Sequence, residues 1–218
     1  MTMVKIDGIS RIEDAQAVAG VGADFLGMVF APSTRQVSPE TARRIVGTLH
    51  SVQPRLQIVG VFVNTPASEI NRLADFCGLD LVQLSGDESW EYCRDIGRPI
   101  IKVIHVSGNK SAEAVISEIS RGESMLGKDG FTCLLDTEVK GSYGGTGKRF
   151  DWSLAAEVGQ QRPVWIAGGL NAENVGEAIR IASPWGVDVS SGVETRGSKD
   201  ITRIEEFIRA VRRADGEV

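Results

Sequence analysis

The feature that most limits the fold of this chain is a rhythm, in which a short apolar run gives way to an amphipathic stretch with helical spacing, over and over. The apolar runs are VKID (4–7), DFLGMVF (24–30), LQIVGVFV (56–63), LDLVQL (79–84), PIIKVIHV (99–106), FTCLLD (131–136), PVWIAG (163–168) and GVDVS (186–190). The predicted helices are RIEDAQAVAGVG (11–22), Pro39 to about His50, PASEINRLADFC (66–77), DESWEYCRDI (87–96), SAEAVISEIS (111–120), DWSLAAEV (151–158), NAENVGEAIRIA (171–182) and ITRIEEFIRAVRRA (201–214). Ser10 is read as the N-cap of the first helix, with Glu13 three residues on. Pro39 stands at the first position of the second, where its fixed φ and missing N–H do no harm.

The apolar runs are mostly continuous rather than alternating, which is how parallel strands covered on both faces read. Eight strand–helix cycles in 218 residues predict an α/β chain of the (β/α)₈, or TIM, barrel type. No Gly/Ser/Pro-rich linker divides the chain, so residues 1–218 are expected to form one domain. A doubly wound open sheet is the alternative, but no G-x-G-x-x-G follows the first run.

Composition narrows the function. A net charge of −5 argues against non-specific binding to nucleic acid or membrane surfaces. No apolar run is long enough for a membrane span, and no signal-peptide pattern opens the sequence, so a cytoplasmic protein is expected. Cys77, Cys93 and Cys133 show no C-x-x-C spacing, which speaks against a disulfide framework or a zinc site. Cys133, inside FTCLLD, reads as a small buried hydrophobe. His50 and His105 are too isolated for a metal cluster, so no metal is expected.

In such barrels the chemistry sits at the carboxyl ends of the strands. There the sequence places Asp7, Arg35, Asn64, Gln83, Ser85, His105 and Asp136. The last three loops are glycine-rich: GSYGGTGK (141–148), AGGLNAEN (167–174) and SSGVETRGSKD (190–200). Glycine lets the backbone approach a ligand closely, and successive amides make an anion site without a basic side chain. Gly168, Gly169, Ser190, Ser191 and Gly192 are therefore read as a phosphate site, with tight turns alone as the bland alternative. Asp7 and Asp136 would face each other across the mouth, as an acid–base pair if their environments separate their pKa values. A salt bridge or helix cap is the alternative for each. Arg35 suits a substrate carboxylate, or else is a solvated surface arginine. The four tryptophans read as packing, and His105 as a residue lining the mouth.

The segments VKIDGIS, ADFLGMVFAPSTRQVSPE, VGVFVN, LDLVQLSGDE, LLDT, GGTGKRFDW, AGGLNAENV and DVSSGVE occur in that order. Together they resemble phosphoribosylanthranilate isomerase over essentially the whole chain, and GGTGKRFDW with DVSSGVE is the most specific part. The resemblance implies an Amadori rearrangement of N-(5′-phosphoribosyl)anthranilate, in tryptophan biosynthesis, with no cofactor. It matches Asp136 to the family's general acid, Arg35 to the arginine holding the anthranilate carboxylate, and Asp188 to an acidic residue near the substrate amine. The phosphorylated substrate is a small molecule, and a monomer or homodimer is expected. The family usually carries cysteine, its general base, where this chain has Asp7, and histidine where it has Ser85. The arginine often found in its fifth strand is His105 here. A carboxylate needs no activation to act as a base at neutral pH, whereas a thiol does, so Asp7 is expected to take the cysteine's part. A relative that binds a phosphorylated ligand without isomerising it is the alternative.

Overall fold

A computed structural model describes residues 1–50, 52–107, 110–137 and 151–216. Its strands are β1 (Met3–Ile6), β2 (Phe25–Val29), β3 (Gln57–Phe62), β4 (Leu81–Leu84), β5 (Ile100–Val106), β6 (Phe131–Thr137), β7 (Val164–Ile166) and β8 (Gly186–Val189). Each pairs in parallel with the next, and β8 pairs with β1, so the sheet closes into the expected barrel. The helices are α1 (Ile12–Gly20), α2 (Pro39–His50), α3 (Ala67–Cys77), α4 (Trp90–Cys93), α5 (Ala112–Leu126), α6 (Trp152–Gly159), α7 (Val175–Ala182) and α8 (Ile201–Ala214). One alternates with every strand, as parallel connections require.

Successive strand side chains face opposite ways, which sorts the apolar residues into two cores. Residues such as Ile6, Leu26, Ile58, Val82, Ile104 and Val187 face outward and pack against the helices. Phe25, Val59, Ile101, Val103, Leu134 and Trp165 face inward and fill the barrel. Phe25 and Trp165 meet edge to face with ring centroids 5.0 Å apart, and Trp185 caps the same end, 4.8 Å from Trp165. A Cβ on Gly186 would stand 2.3 Å from the Trp165 ring, so the small residue on β8 makes room for the large one on β7. Burying each such side chain contributes on the order of 1.5–3 kcal/mol. With its lower half plugged, the barrel interior is left open toward the end where β1–β8 finish.

Several boundaries differ from expectation. Arg11, not Ser10, occupies the N-cap of α1 and makes no side-chain cap bond. The reason lies one residue earlier, where the Ile9 N–H donates to the Gly27 carbonyl at 3.0 Å and holds the chain against β2. Arg11 instead donates to both carboxylate oxygens of Asp14, at 2.9 and 2.7 Å. The helix expected over 87–96 shrinks to Trp90–Cys93. Before it, the Glu88 carboxylate accepts from the Asn64 and Gly86 N–H groups and binds the two loops together. After it, Asn71 accepts from the Gly97 N–H and donates to the Asp95 carbonyl. The start of α7 moves from Asn171 to Val175, because Asn171 Oδ1 takes the Glu173 and Asn174 N–H groups into a turn. α5 runs six residues beyond the expected Ser120, to Leu126. A two-stranded antiparallel hairpin, β9 (Glu194–Thr195) and β10 (Ser198–Lys199), was not foreseen; it turns through Arg196 and Gly197, both at positive φ.

Candidate active site

The site begins with two residues of one strand end. Lys5 and Asp7 are two apart and so share the inward face of β1. Lys5 is wholly buried, a position that an ammonium tolerates only with partners. It donates to Asp7 Oδ1 and, at 3.1 Å, to Asp188 Oδ1 on β8, its register neighbour. A Cβ on Gly27 of β2 would stand 1.6 Å from Asp7 Oδ1 and 3.3 Å from Lys5 Nζ. Only glycine leaves room there for the carboxylate.

Above this cluster opens a cavity of about 540 Å³, a size suited to a small molecule. Asp7, Arg35, Asp136 and Asp188 all line it. So do Gly168, Gly169, Ser190, Ser191 and Gly192. These nine residues thus meet in one place, whereas Asn64, also expected at the mouth, does not line the cavity. Gln83, Ser85 and His105 complete the wall. The GSYGGTGK run (141–148) lies outside the described residues.

The glycine loops do more than turn. Gly168 and Gly169 take φ values of 90° and 65°, the left-handed region that L side chains avoid. A Cβ on Gly192 would stand 1.9 Å from the Leu170 carbonyl oxygen, so the two loops touch backbone to backbone. Among the described residues, the N–H groups of Gly168, Gly169, Ser191 and Gly192 have no acceptor. Four donors on one wall with no acceptor among the described residues are the arrangement that an anion cradle requires.

The carboxyl groups differ in environment. Burial pushes Asp188 up to about 8, and the Asp7 charge adds to this against the opposing pull of Lys5. Burial also raises Asp136, although the Thr137 N–H, 2.7 Å from its Oδ1, favours the ionised form. Burial would lower Lys5, but Asp188 and Asp7 outweigh it and the ammonium is held above its ordinary value. Asp136 is the register partner of His105 on β5. His105 Nε2 lies 3.0 Å from the Ser85 carbonyl, which can only accept, so that nitrogen carries a hydrogen. Gln83 donates to Ser85 Oγ at 3.1 Å, and its buried Oε1 has no partner among the described residues.

Arg35 is not a solvated surface arginine. Its Nε and Nη2 donate to the two carboxylate oxygens of Glu194 at 2.7 and 2.8 Å. Lys199 donates to Glu194 Oε1 at 2.7 Å and to the Ser190 carbonyl at 2.9 Å. Burial alone would raise Glu194, but hydrogen bonds from Arg35 and Lys199 hold it at about 2. Sequence reasoning passed over Lys5, Glu194 and Lys199. For Lys5 the available signal was its two-residue spacing from Asp7.

The barrel mouth thus brings together a row of backbone donors, two carboxyl groups held above their usual range and a guanidinium. Residues 4–210 match the family model for N-(5′-phosphoribosyl)anthranilate isomerase. The chain belongs to this family. An N-(5′-phosphoribosyl)anthranilate isomerase from Dehalococcoides mccartyi is 50% identical over 216 residues, which span 99% of this chain and 98% of the relative. One from Desulforamulus reducens is 44% identical over 97% of this chain and 96% of its own length. The crystal structure of phosphoribosylanthranilate isomerase from Thermotoga maritima superposes with a TM-score of 0.82 at 39% identity, covering 99% of this chain and 100% of that one. A further solved isomerase, in complex with reduced 1-(o-carboxyphenylamino)-1-deoxyribulose 5-phosphate, gives a TM-score of 0.79 at 38% identity. The phosphoribosylanthranilate isomerase fold and the closed barrel of this chain are thus the same architecture.

Proposed function

We propose that this isomerase converts N-(5′-phosphoribosyl)anthranilate to 1-(2-carboxyphenylamino)-1-deoxy-D-ribulose 5-phosphate in tryptophan biosynthesis, with Asp136 as general acid and Asp7 as general base. The observation that carries the roles is the contrast between two carboxyl groups on one cavity. Asp136 is buried and held toward its protonated form, whereas Asp7 accepts from a lysine ammonium. A buried carboxyl held toward its protonated form suits the giving of a proton, and a carboxylate beside an ammonium the taking of one.

The substrate's phosphate lies in the cradle of Gly168, Gly169, Ser190, Ser191 and Gly192, and its aryl carboxylate lies at Arg35. Asp136 gives its proton to the furanose oxygen. The C1′–O4′ bond breaks as the nitrogen lone pair forms the C1′=N bond of a protonated Schiff base. Asp7 then removes the proton from C2′, and its electron pair makes the C1′=C2′ bond of an enolamine. The 2′-hydroxyl loses its proton, C1′ gains one, and the ketone results, so atoms and charge balance with no external reagent. Asp188, whose carboxyl burial holds above the usual range beside Lys5, stands near the substrate nitrogen. Gln83 Oε1 offers an acceptor to a ribose hydroxyl. Three free, buried cysteines support a reducing, cytoplasmic setting.

The test is turnover of freshly formed phosphoribosylanthranilate, followed by the loss of its anthranilate fluorescence. Asp7→Ala and Asp136→Asn should each lower kcat by at least about 100-fold, with the far-UV circular dichroism of the wild type. Near-normal turnover in a folded Asp7→Ala protein would remove Asp7 from the base role. A wild-type protein that binds the reduced product analogue without turning the substrate over would favour the non-isomerising alternative.

A further inference from the structure

We infer that Glu194, itself held by Lys199, is a positioning residue that aims the Arg35 guanidinium at the substrate's aryl carboxylate and ties that clamp to the phosphate loop. This rests on the reading of Arg35 as the carboxylate holder, and adds to it a reason why a long, flexible side chain should stay in place.

The geometry supports this in four ways. Arg35 lines the cavity and Glu194 does not, so the edge of the guanidinium that Glu194 grips, Nε and Nη2, is turned to the wall. The other edge remains for a ligand, since Nη1 has no acceptor among the described residues. A guanidinium gripped side-on by a carboxylate is fixed in plane as well as in position. Charge points the same way: Arg35 and Lys199 bring two positive charges to one buried carboxylate, which leaves one positive charge for a ligand anion.

The hairpin explains how the grip is built. Lys199 and Glu194 are register partners across β9 and β10, and the Lys199 side chain is only 3% exposed. The same ammonium reaches the Ser190 carbonyl, so the clamp and the anion cradle share one anchor. Gly8 keeps the passage open. A Cβ there would stand 2.6 Å from Arg35 Cδ and 3.1 Å from Ser190 Oγ. A contrary reading is that Glu194 is a stand-in carboxylate that the substrate must displace, and it predicts the opposite sign of effect.

The deciding experiment is titration calorimetry with two ligands, reduced 1-(o-carboxyphenylamino)-1-deoxyribulose 5-phosphate and its counterpart without the carboxylate. Wild type, Glu194→Gln, Glu194→Ala and Arg35→Met are compared after circular dichroism has shown each to be folded. Glu194→Ala should weaken the carboxylated ligand about tenfold and the other by less than about threefold, with Glu194→Gln between. Equal weakening of both ligands would mean a merely structural role and overturn the inference. Unchanged binding of the carboxylated ligand would overturn it, and tighter binding would overturn it in favour of displacement. If wild type binds both ligands equally and Arg35→Met changes neither, the Arg35 reading itself fails, and this inference with it.

Discussion

Three aspartates, Asp7, Asp136 and Asp188, line one cavity above one buried lysine that pairs with Asp7 and Asp188, and a single ammonium cannot balance them all. The strain of this surplus falls on Asp188, whose carboxyl is driven by burial and by Asp7 from the usual 3.8 to about 8. In the unfolded chain the same group loses its proton near the usual value, so a raised folded pKa means stability that is complete below about pH 4 and declines as pH rises through 8. Asp188→Asn removes this penalty. Its melting temperature relative to wild type should therefore rise between pH 4 and pH 8, by at least about 2 °C. A difference that stays constant across that range would count against the raised value. At this scale the sequence was readable where a residue type is unusual for its position. Aspartates and glycine pairs at strand ends stand out from their apolar surroundings. Lys5 did not, because VKID passes as an apolar strand until the inside of the barrel is considered. Glu194 could not be found locally, since its partner Arg35 lies 159 residues away.

Among the elements, strand order was legible because each apolar run is continuous and each is followed by a helical period. Boundaries were less so. α4 is short because Glu88 before it is drawn to the Asn64 and Gly86 N–H groups, and Asn71 on α3 binds the Asp95 carbonyl and the Gly97 N–H after it. Nothing in DESWEYCRDI alone reveals that competition. Strand β2 makes the sharper point about how an element serves the site. Gly27 holds no ligand, yet its missing side chain is the space that Asp7 occupies. Gly27→Ala should displace the Asp7 carboxylate and lower kcat by at least about tenfold, while overpacking destabilises the fold by about 1–3 kcal/mol. Steady-state kinetics beside a thermal melt would check this, and a variant with unchanged kcat would show that Asp7 has freedom to move.

The molecule as a whole is held shut where its chain begins and ends. Asp215, just after α8, accepts from the Thr2 N–H at 2.8 Å and from its hydroxyl at 2.7 Å. Arg212 donates to the Thr2 carbonyl at 2.7 Å and pairs with Asp24 at 3.3 Å. Asp215→Ala should cost about 1–3 kcal/mol, lowering the melting temperature by about 2–4 °C per kcal/mol. A melt within 1 °C of wild type, on the order of experimental error, would show the clasp to be dispensable.

Closure also sets a timetable. Lys5 waits 183 residues for Asp188. At ribosomal speeds of roughly 5–20 residues per second, that interval is on the order of ten seconds or more. Until β8 emerges, the first strand has an open edge, and Lys5 lacks one of its two carboxyl partners. The catalytic centre is consequently among the last parts of the newborn protein to exist. A stalled chain released short of Asp188 would carry most of a barrel and none of its chemistry.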